Sequence, residues 1–243
     1  INKLRMEENM EIATYEISLK IYTLVDIPAG NLLEKEAAFI DSVLGLDENW
    51  TKYHEENRYK LYSYDMLFPI EKDGVYLKDH IYTFRIRTVN AELARYFSKV
   101  LPNHYTKELK GLVVNNRILP RKTISEIYTL TPLVMKFEEG YWRGKVSMDT
   151  FEQRLFSNAI KKYKQYTGED VNEDFQWYTQ ITFLNKKPIV LSYDSKKIKL
   201  LGDKINLKIA DNKQAQELTY FMLGTGLGEI NSRGAGTCNY RYL

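Results

Sequence analysis

One cysteine in 243 residues leaves this chain no internal disulfide and no four-cysteine zinc site. The lone Cys238 fits a reducing compartment, the cytoplasm. Histidine is nearly as scarce: His54, His80 and His104 are the only three. No His/Asp/Glu spacing resembles a metal site, so neither a metal nor another cofactor is expected. No apolar run approaches a membrane span, and no signal peptide is visible. Low-complexity segments and linkers are lacking too. No GxxxxGK[ST] is present, and the one glycine-rich stretch ends the chain, not a first strand. Both facts argue against a nucleoside triphosphatase or a dinucleotide-binding protein. The chain opens on Ile1, with Met6 and Met10 as candidate natural starts.

What is present is uneven charge and much tyrosine. Net charge is only +3. Residues 1–79 hold 9 basic and 16 acidic side chains, whereas residues 80–179 hold 16 and 11 and residues 180–243 hold 10 and 5. Two thirds of the chain is therefore basic, which the total hides. Tyrosine occurs 19 times against 10 Phe and 3 Trp. Tyrosine beside Lys and Arg suits stacking on bases, although most of these tyrosines read as strand residues.

Periodicity predicts the same element order twice. Residues 11–25 read as a strand. Asn31 is the expected cap of a helix that turns Leu33, Ala37, Ile40 and Leu44 to one face. Residues 59–68 and 80–89 read as strands; in the second, Tyr82, Phe84 and Ile86 oppose Arg85 and Arg87. Asn90 caps a helix with Leu93, Ala94 and Phe97, and residues 111–119 form a fourth strand. The second half repeats this. A strand at 125–137 precedes a helix capped by Asp149, with Phe151, Leu155, Ala159 and Tyr166 inward. Residues 176–184 and 188–194 read as a hairpin across Asn185-Lys186-Lys187, with 197–209 as further extended chain. Asn212 caps a last helix, and residues 236–242 close the order as a strand. Two β-α-β-β-α-β units mean an α+β fold of tandem ferredoxin-like modules with antiparallel sheets, divided near Pro120 into residues 1–120 and 121–243.

Two features carry chemistry. The tail from Met222 reads MLGTGLGEINSRGAGTCNYRYL. Gly226, Gly228, Gly234 and Gly236 let backbone approach a partner closely, and N–H groups around one concavity suit an anion such as phosphate. Asn231, Ser232 and Arg233 lie between the glycine pairs as further RNA-binding candidates. The other feature is WTKYHEENRYK, which places His54 on a loop after the first helix and Lys60 at the start of a strand. By period two, Tyr62 and Tyr64 share the strand face of Lys60. Histidine can move a proton near neutrality, and a lysine can neutralise a phosphorane-like transition state. Together they suit metal-independent RNA cleavage by 2′-hydroxyl attack. Taken alone, with Glu55 and Glu56 beside it, His54 reads more readily as a solvated surface residue. His80 reads as a packed strand residue and His104 as a loop residue at a helix end.

GLGEINSRGAG, from Gly226 to Gly236, resembles the C-terminal signature of the CRISPR-associated repeat endoribonucleases of the RAMP superfamily. That signature is a G-x-G followed some residues later by a second G-x-G. This chain has Ala235 where an aromatic often stands. The resemblance implies a general acid/base at His54 and its partner at Lys60. Some members add a tyrosine from the first helix; here that helix offers Phe39, so a tyrosine role comes from elsewhere, such as Tyr62, or is absent. The resemblance also implies the substrate, the repeats of precursor CRISPR RNA. Products would be guide RNAs with 2′,3′-cyclic phosphate and 5′-hydroxyl ends. The implied partners are this precursor, the mature crRNA and subunits of an interference complex, for a monomer or homodimer in a prokaryotic cytoplasm. RNA contacts are expected from Arg117, Arg121, Lys122, Arg143 and Lys145 around the domain junction. Lys186, Lys187, Lys196, Lys197 and Lys199 extend them on the second-module hairpin. The competing reading is a non-catalytic RNA-binding RAMP subunit, which the same fold and loop would serve. A general RNA-recognition protein outside CRISPR systems ranks last, since its aromatic signature is not evident.

Overall fold

The computed structural model describes residues 12–193 and 197–243. Lys196, Met6, Met10 and the first residue of the strand expected at 11–25 lie outside them.

Strand β1 (Tyr15–Thr23) turns one apolar face inward, with buried Glu16 on the other. Ile17, Leu19 and Ile21 are fully buried, while Lys20 is exposed. A short β2 (Ile27–Pro28) leads into helix α1 (Ala29–Leu44), and α2 (Glu48–Glu55) follows. Then come β3 (Tyr62–Tyr64), β4 (Val75–Tyr76), β5 (Ile81–Thr88), α3 (Ala91–Val100) and β6 (Leu109–Ile118). The second half supplies β7 (Ile124–Thr129), α4 (Met148–Thr167), β8 (Tyr178–Phe183), β9 (Ile189–Tyr193) and β10 (Ile198–Gly202). It closes with β11 (Ile205–Ile209), α5 (Lys213–Thr225) and β12 (Cys238–Tyr242).

Two four-stranded antiparallel sheets result, ordered β3-β5-β1-β6 and β12-β7-β11-β8. In each, the first and third principal strands of the half are central, which is the ferredoxin-like arrangement. Leu32, Ala37, Phe39, Ile40 and Val43 of α1 and Leu93, Ala94 and Phe97 of α3 cover the first sheet. Phe151, Leu155 and Ala159 of α4 and Ala215, Leu218 and Phe221 of α5 cover the second. No described helix is long and apolar enough to cross a membrane.

The halves are tied together closely. Arg87 of β5 donates to the Cys238 carbonyl at 2.6 Å and to Glu16 at 2.8 Å. Tyr220 of α5 donates to the Leu119 carbonyl at 2.6 Å. Gly224 lets α5 lie against the first half, since a Cβ there would stand 2.7 Å from Val89.

Several local expectations change. Asn90 and Asn212 do cap α3 and α5 through their side chains. Asn31 does not: α1 already begins at Ala29 behind Pro28, which has no side chain to cap with. Ser147 displaces Asp149, accepting a bond from the Thr150 amide. The strand expected at 59–68 shrinks to three residues, because Leu61 takes φ of 53° and breaks the extended run. The strand expected at 125–137 stops at Thr129, with Pro132 just beyond. His80 is exposed ahead of β5 and stacks on Tyr82 instead of packing inward.

The hairpin is also different. β8 pairs with β11, while β9 pairs with β10. Buried Asp203 explains the exchange. It accepts from Asn185 Nδ2 at 2.8 Å, from Trp142 Nε1 at 2.7 Å and from Arg143 at 2.6 Å. That knot turns the chain out of the sheet after Asn185, and Pro188 lacks the N–H to continue a ladder. Arg143 thus belongs to an internal network of the second half, not to the junction.

Candidate active site

The site is assembled from α1, α2 and the tail. Asp47 starts α2 by accepting from the Asn49 and Trp50 amides. His54 therefore sits in the last helical turn and not on a loop. Lys60 closes that helix. Its ammonium donates to the Tyr53 carbonyl at 2.6 Å and to the Glu56 carbonyl. Cations at a helix C-terminus satisfy orphan carbonyls in this way. Burial, then Arg58, holds the Lys60 pKa below its usual value, while Glu56 opposes them.

His54 Nε2 lies 3.5 Å from Asp41 of α1 and 3.5 Å from Arg233 of the tail. Arg233 also bonds Asp41 directly, so the three side chains form a closed triangle. Nδ1 of His54 is buried, with no hydrogen-bond partner among the described residues. Burial is the main force holding the His54 pKa below 6.5; Asp41 pulls it up, and Arg233 and Lys60 push it down. The imidazole is therefore neutral near pH 7. A guanidinium only donates, so toward Arg233 the Nε2 atom acts as an acceptor.

Tyr62 lies beneath this triangle, fully buried against Phe97. Its acidity is suppressed, first by burial and then by Asp41. Tyr62 shares no face with Lys60, since Leu61 interrupts the alternation. Beside the triangle, a cleft of about 280 Å³ runs between α1, the β9–β10 hairpin and the tail. Ala37, Ala38, Leu200 and Ile230 form its apolar part, while Glu34, Asp41, Lys136 and Arg233 contribute charge of both signs.

The glycine tail is built inward. Gly226, Gly228, Gly234 and Gly236 all have positive φ and are buried. The amides of Gly226, Leu227, Glu229, Gly234, Ala235 and Gly236 each bond a backbone carbonyl. Ser232 and Arg233 are the partly exposed rim. The Arg233 carbonyl accepts from Tyr193 at 2.6 Å, fixing the tail to β9.

The basic candidates are dispersed. Arg121 and Lys122 are exposed on the segment between the two sheets; Arg121 bonds the Ile12 carbonyl at 2.6 Å, and Lys122 stands over the Tyr242 ring. Lys186 and Lys187 are exposed at the turn after β8. Arg117 pairs with Glu16 at 2.6 Å, and Lys145 bonds the Glu139 carbonyl. Among the described residues, no three His, Cys, Asp or Glu side chains gather as a metal site would need.

Asp41 escapes a reading of the sequence. Asp41 stands one turn after Ala37 at the edge of the stripe that α1 buries, half-buried and facing the cleft, a position no local pattern singles out. Arg233 reads from sequence as a binding residue of the tail, and its meeting with His54 is a tertiary fact.

The family model for the C-terminal part of CRISPR associated protein Cas6 matches residues 115–240, just over half of the chain. The chain belongs to the Cas6 family. Solved structures agree along nearly its full length. One described as CRISPR associated protein Cas6 aligns with a TM-score of 0.70 at 20% identity, covering 94% of this chain and 99% of that one. A RAMP protein described as binding different RNA substrates gives 0.67 at 18%, covering 93% and 99%. A Cas6-related protein from Pyrococcus furiosus gives 0.65 at 17%, covering 94% and 98%. At these identities the likeness shows the fold, including both ferredoxin-like modules of this Cas6-family chain. No curated protein matches it by sequence.

Proposed function

We propose that this Cas6-family chain is a metal-independent endoribonuclease that cuts within the repeats of precursor CRISPR RNA. The observation that carries the reading is the triangle of His54, Asp41 and Arg233, two of whose members, Asp41 and Arg233, line a cleft. The described RNA binding of the RAMP neighbour supports the substrate class.

His54 is the general base. Neutral near pH 7, it takes the proton of a ribose 2′-hydroxyl. The O2′–P bond forms, the P–O5′ bond breaks, and the leaving 5′-oxygen takes its proton from solvent water, the imidazolium returning its own proton to solvent. The products are a 2′,3′-cyclic phosphate and a 5′-hydroxyl. Arg233 stands where charge develops on the phosphorane oxygens. Asp41 orients Arg233 and stabilises the imidazolium once it forms. Lys60 fixes the helix end that carries His54 and adds positive potential, and Tyr62 makes the floor beneath. Arg121, Lys122, Lys186, Lys187 and Ser232 on the rim contact RNA outside the site, while Asn231 and the buried glycines shape the loop that holds the rim.

The test is cleavage of a cognate repeat RNA in EDTA. Full activity is expected, and a single 2′-deoxy substitution at the scissile nucleotide should stop it. Tight binding without cleavage would instead support the non-catalytic RAMP subunit. A second expectation concerns Arg233→Ala. Single-turnover rates should fall by about 10²-fold, the cost of removing one preorganised oxyanion donor. A rate within error of the wild type would remove Arg233 from the mechanism.

A further inference from the structure

Lys162 lies on α4, far in sequence from every residue of the site. It is 1% exposed. Its Nζ donates to the Gly228 carbonyl at 2.6 Å, to Asn231 Oδ1 at 2.6 Å and to the Gly226 carbonyl at 2.9 Å. An ammonium has three N–H donors, and here each has an acceptor. The concavity of the glycine tail therefore encloses a cation supplied by the protein itself.

The same three acceptors define the course of the tail. Gly226 and Gly228 lead into the turn, and Asn231 opens the 3-10 helix Asn231–Arg233 that ends at Arg233. Asn231 extends the network, its Nδ2 donating to the Leu227 carbonyl at 2.8 Å and the Ala235 carbonyl at 2.9 Å. The Lys162 ammonium thus holds the first residue of the short helix whose last residue, Arg233, touches His54 and Asp41. Buried carbonyls turned toward one point cost free energy unless a donor meets them there.

We infer that Lys162 is a positioning residue: its ammonium gathers the glycine tail and so aims Arg233 at His54 and Asp41. The inference rests on the nuclease reading only for its kinetic consequence. Burial pushes the Lys162 pKa down to about 7, while Cys238 and Glu229 oppose that push. A neutral amine would keep two donors for three acceptors, so the gathered geometry belongs to the charged form.

Lys162→Met keeps the stem and removes the donors. The first readout is the His54 pKa, followed by NMR with His80 and His104 as the other two signals. It should rise in the variant, because Arg233 withdraws while Asp41 remains. The second is cleavage at a temperature where the variant is folded. There kcat should fall roughly 100-fold, as a misplacement near 1 Å costs, with KM little changed. The third is a double-mutant cycle: in an Arg233→Ala background, Lys162→Met should cost no further rate. A lower melting temperature with unchanged His54 pKa and unchanged kcat would overturn the inference, leaving Lys162 as a structural residue. If Lys162→Met does not fold, Asn231→Ala takes its place, with the same readouts deciding for or against in the same way. The titration needs no cleavage. A wild type that binds RNA and never cuts would therefore defeat the nuclease reading while the positioning role is still decided.

Discussion

His54→Ala abolishes cleavage and leaves RNA binding intact. A positioned general base contributes about 10²–10⁴-fold to a rate, so the single-turnover constant should drop by at least two decades. Binding of a 2′-deoxy substrate should stay near the wild-type value, since the imidazole is neutral and contributes no charge to phosphate contacts. The pH profile gives an independent check. Burial and Arg233 hold the folded pKa of His54 below 6.5. The base form is lost as pH falls through that pKa, so kcat/KM should rise with pH across the acidic range and level off by neutrality. In His54→Ala the acidic limb should disappear. Cleavage by the variant at the wild-type rate would remove His54 from the chemistry.

Gly236→Val collapses the tail. Gly236 has φ of 67°, a conformation that costs a residue with a Cβ about 1–2 kcal/mol. A side chain there would also overlap the Leu227 carbonyl oxygen and crowd Asn231 Nδ2 at 3.0 Å. That neighbour is backbone, already engaged by the Asn231 amide, so it cannot swing aside. Overpacking of this kind adds about 1–3 kcal/mol. For a chain of this size the sum corresponds to a melting temperature lower by roughly 10 °C. Arg233 should leave Asp41 at the same time, so the folded fraction should also cut slowly. Gly30→Ala is the comparison. Gly30 lies in the first turn of α1, where a Cβ would meet nothing within 4 Å, and a gain of about 0.5–1 kcal/mol is expected there. Equal melting temperatures for the two variants would show that the tail does not need its bare backbone.

Much of the fold is legible in the sequence, for local reasons. Asn90 and Asn212 announce α3 and α5 because a short side-chain acceptor beside an apolar 3.6-residue stripe has few other uses. The alternation of Ile17, Leu19 and Ile21 announces β1 in the same way. α2 is not legible: it spans only two turns and buries just Tyr53 among its eight residues. No stripe could reveal it, although Asp47 stands ready as its cap. The β8–β11 pairing is hidden for a different reason. Adjacent strands favour a hairpin, and only Asp203, beyond the next two strands, shows why this chain leaves the sheet at Asn185. The site follows the same division. His54 and Lys60 stand close in sequence and could be suspected together. Arg233 reaches them only because α5 rests against the first sheet. The glycine tail suggests an anion site when its spacing is considered alone, and only the position of Lys162 shows which way its carbonyls face.

The Asp41–Arg233 pair joins positions 192 residues apart, one in each half of the chain. The two halves are therefore not interchangeable parts. Recombination with a relative could preserve both hydrophobic cores and still bring a neutral residue to position 233. Asp41 would then act on the histidine without Arg233 against it, and a well-folded hybrid would carry a base whose pKa is shifted upward and a site without its guanidinium. Inheritance of the two halves as a single unit is the condition under which this site keeps working.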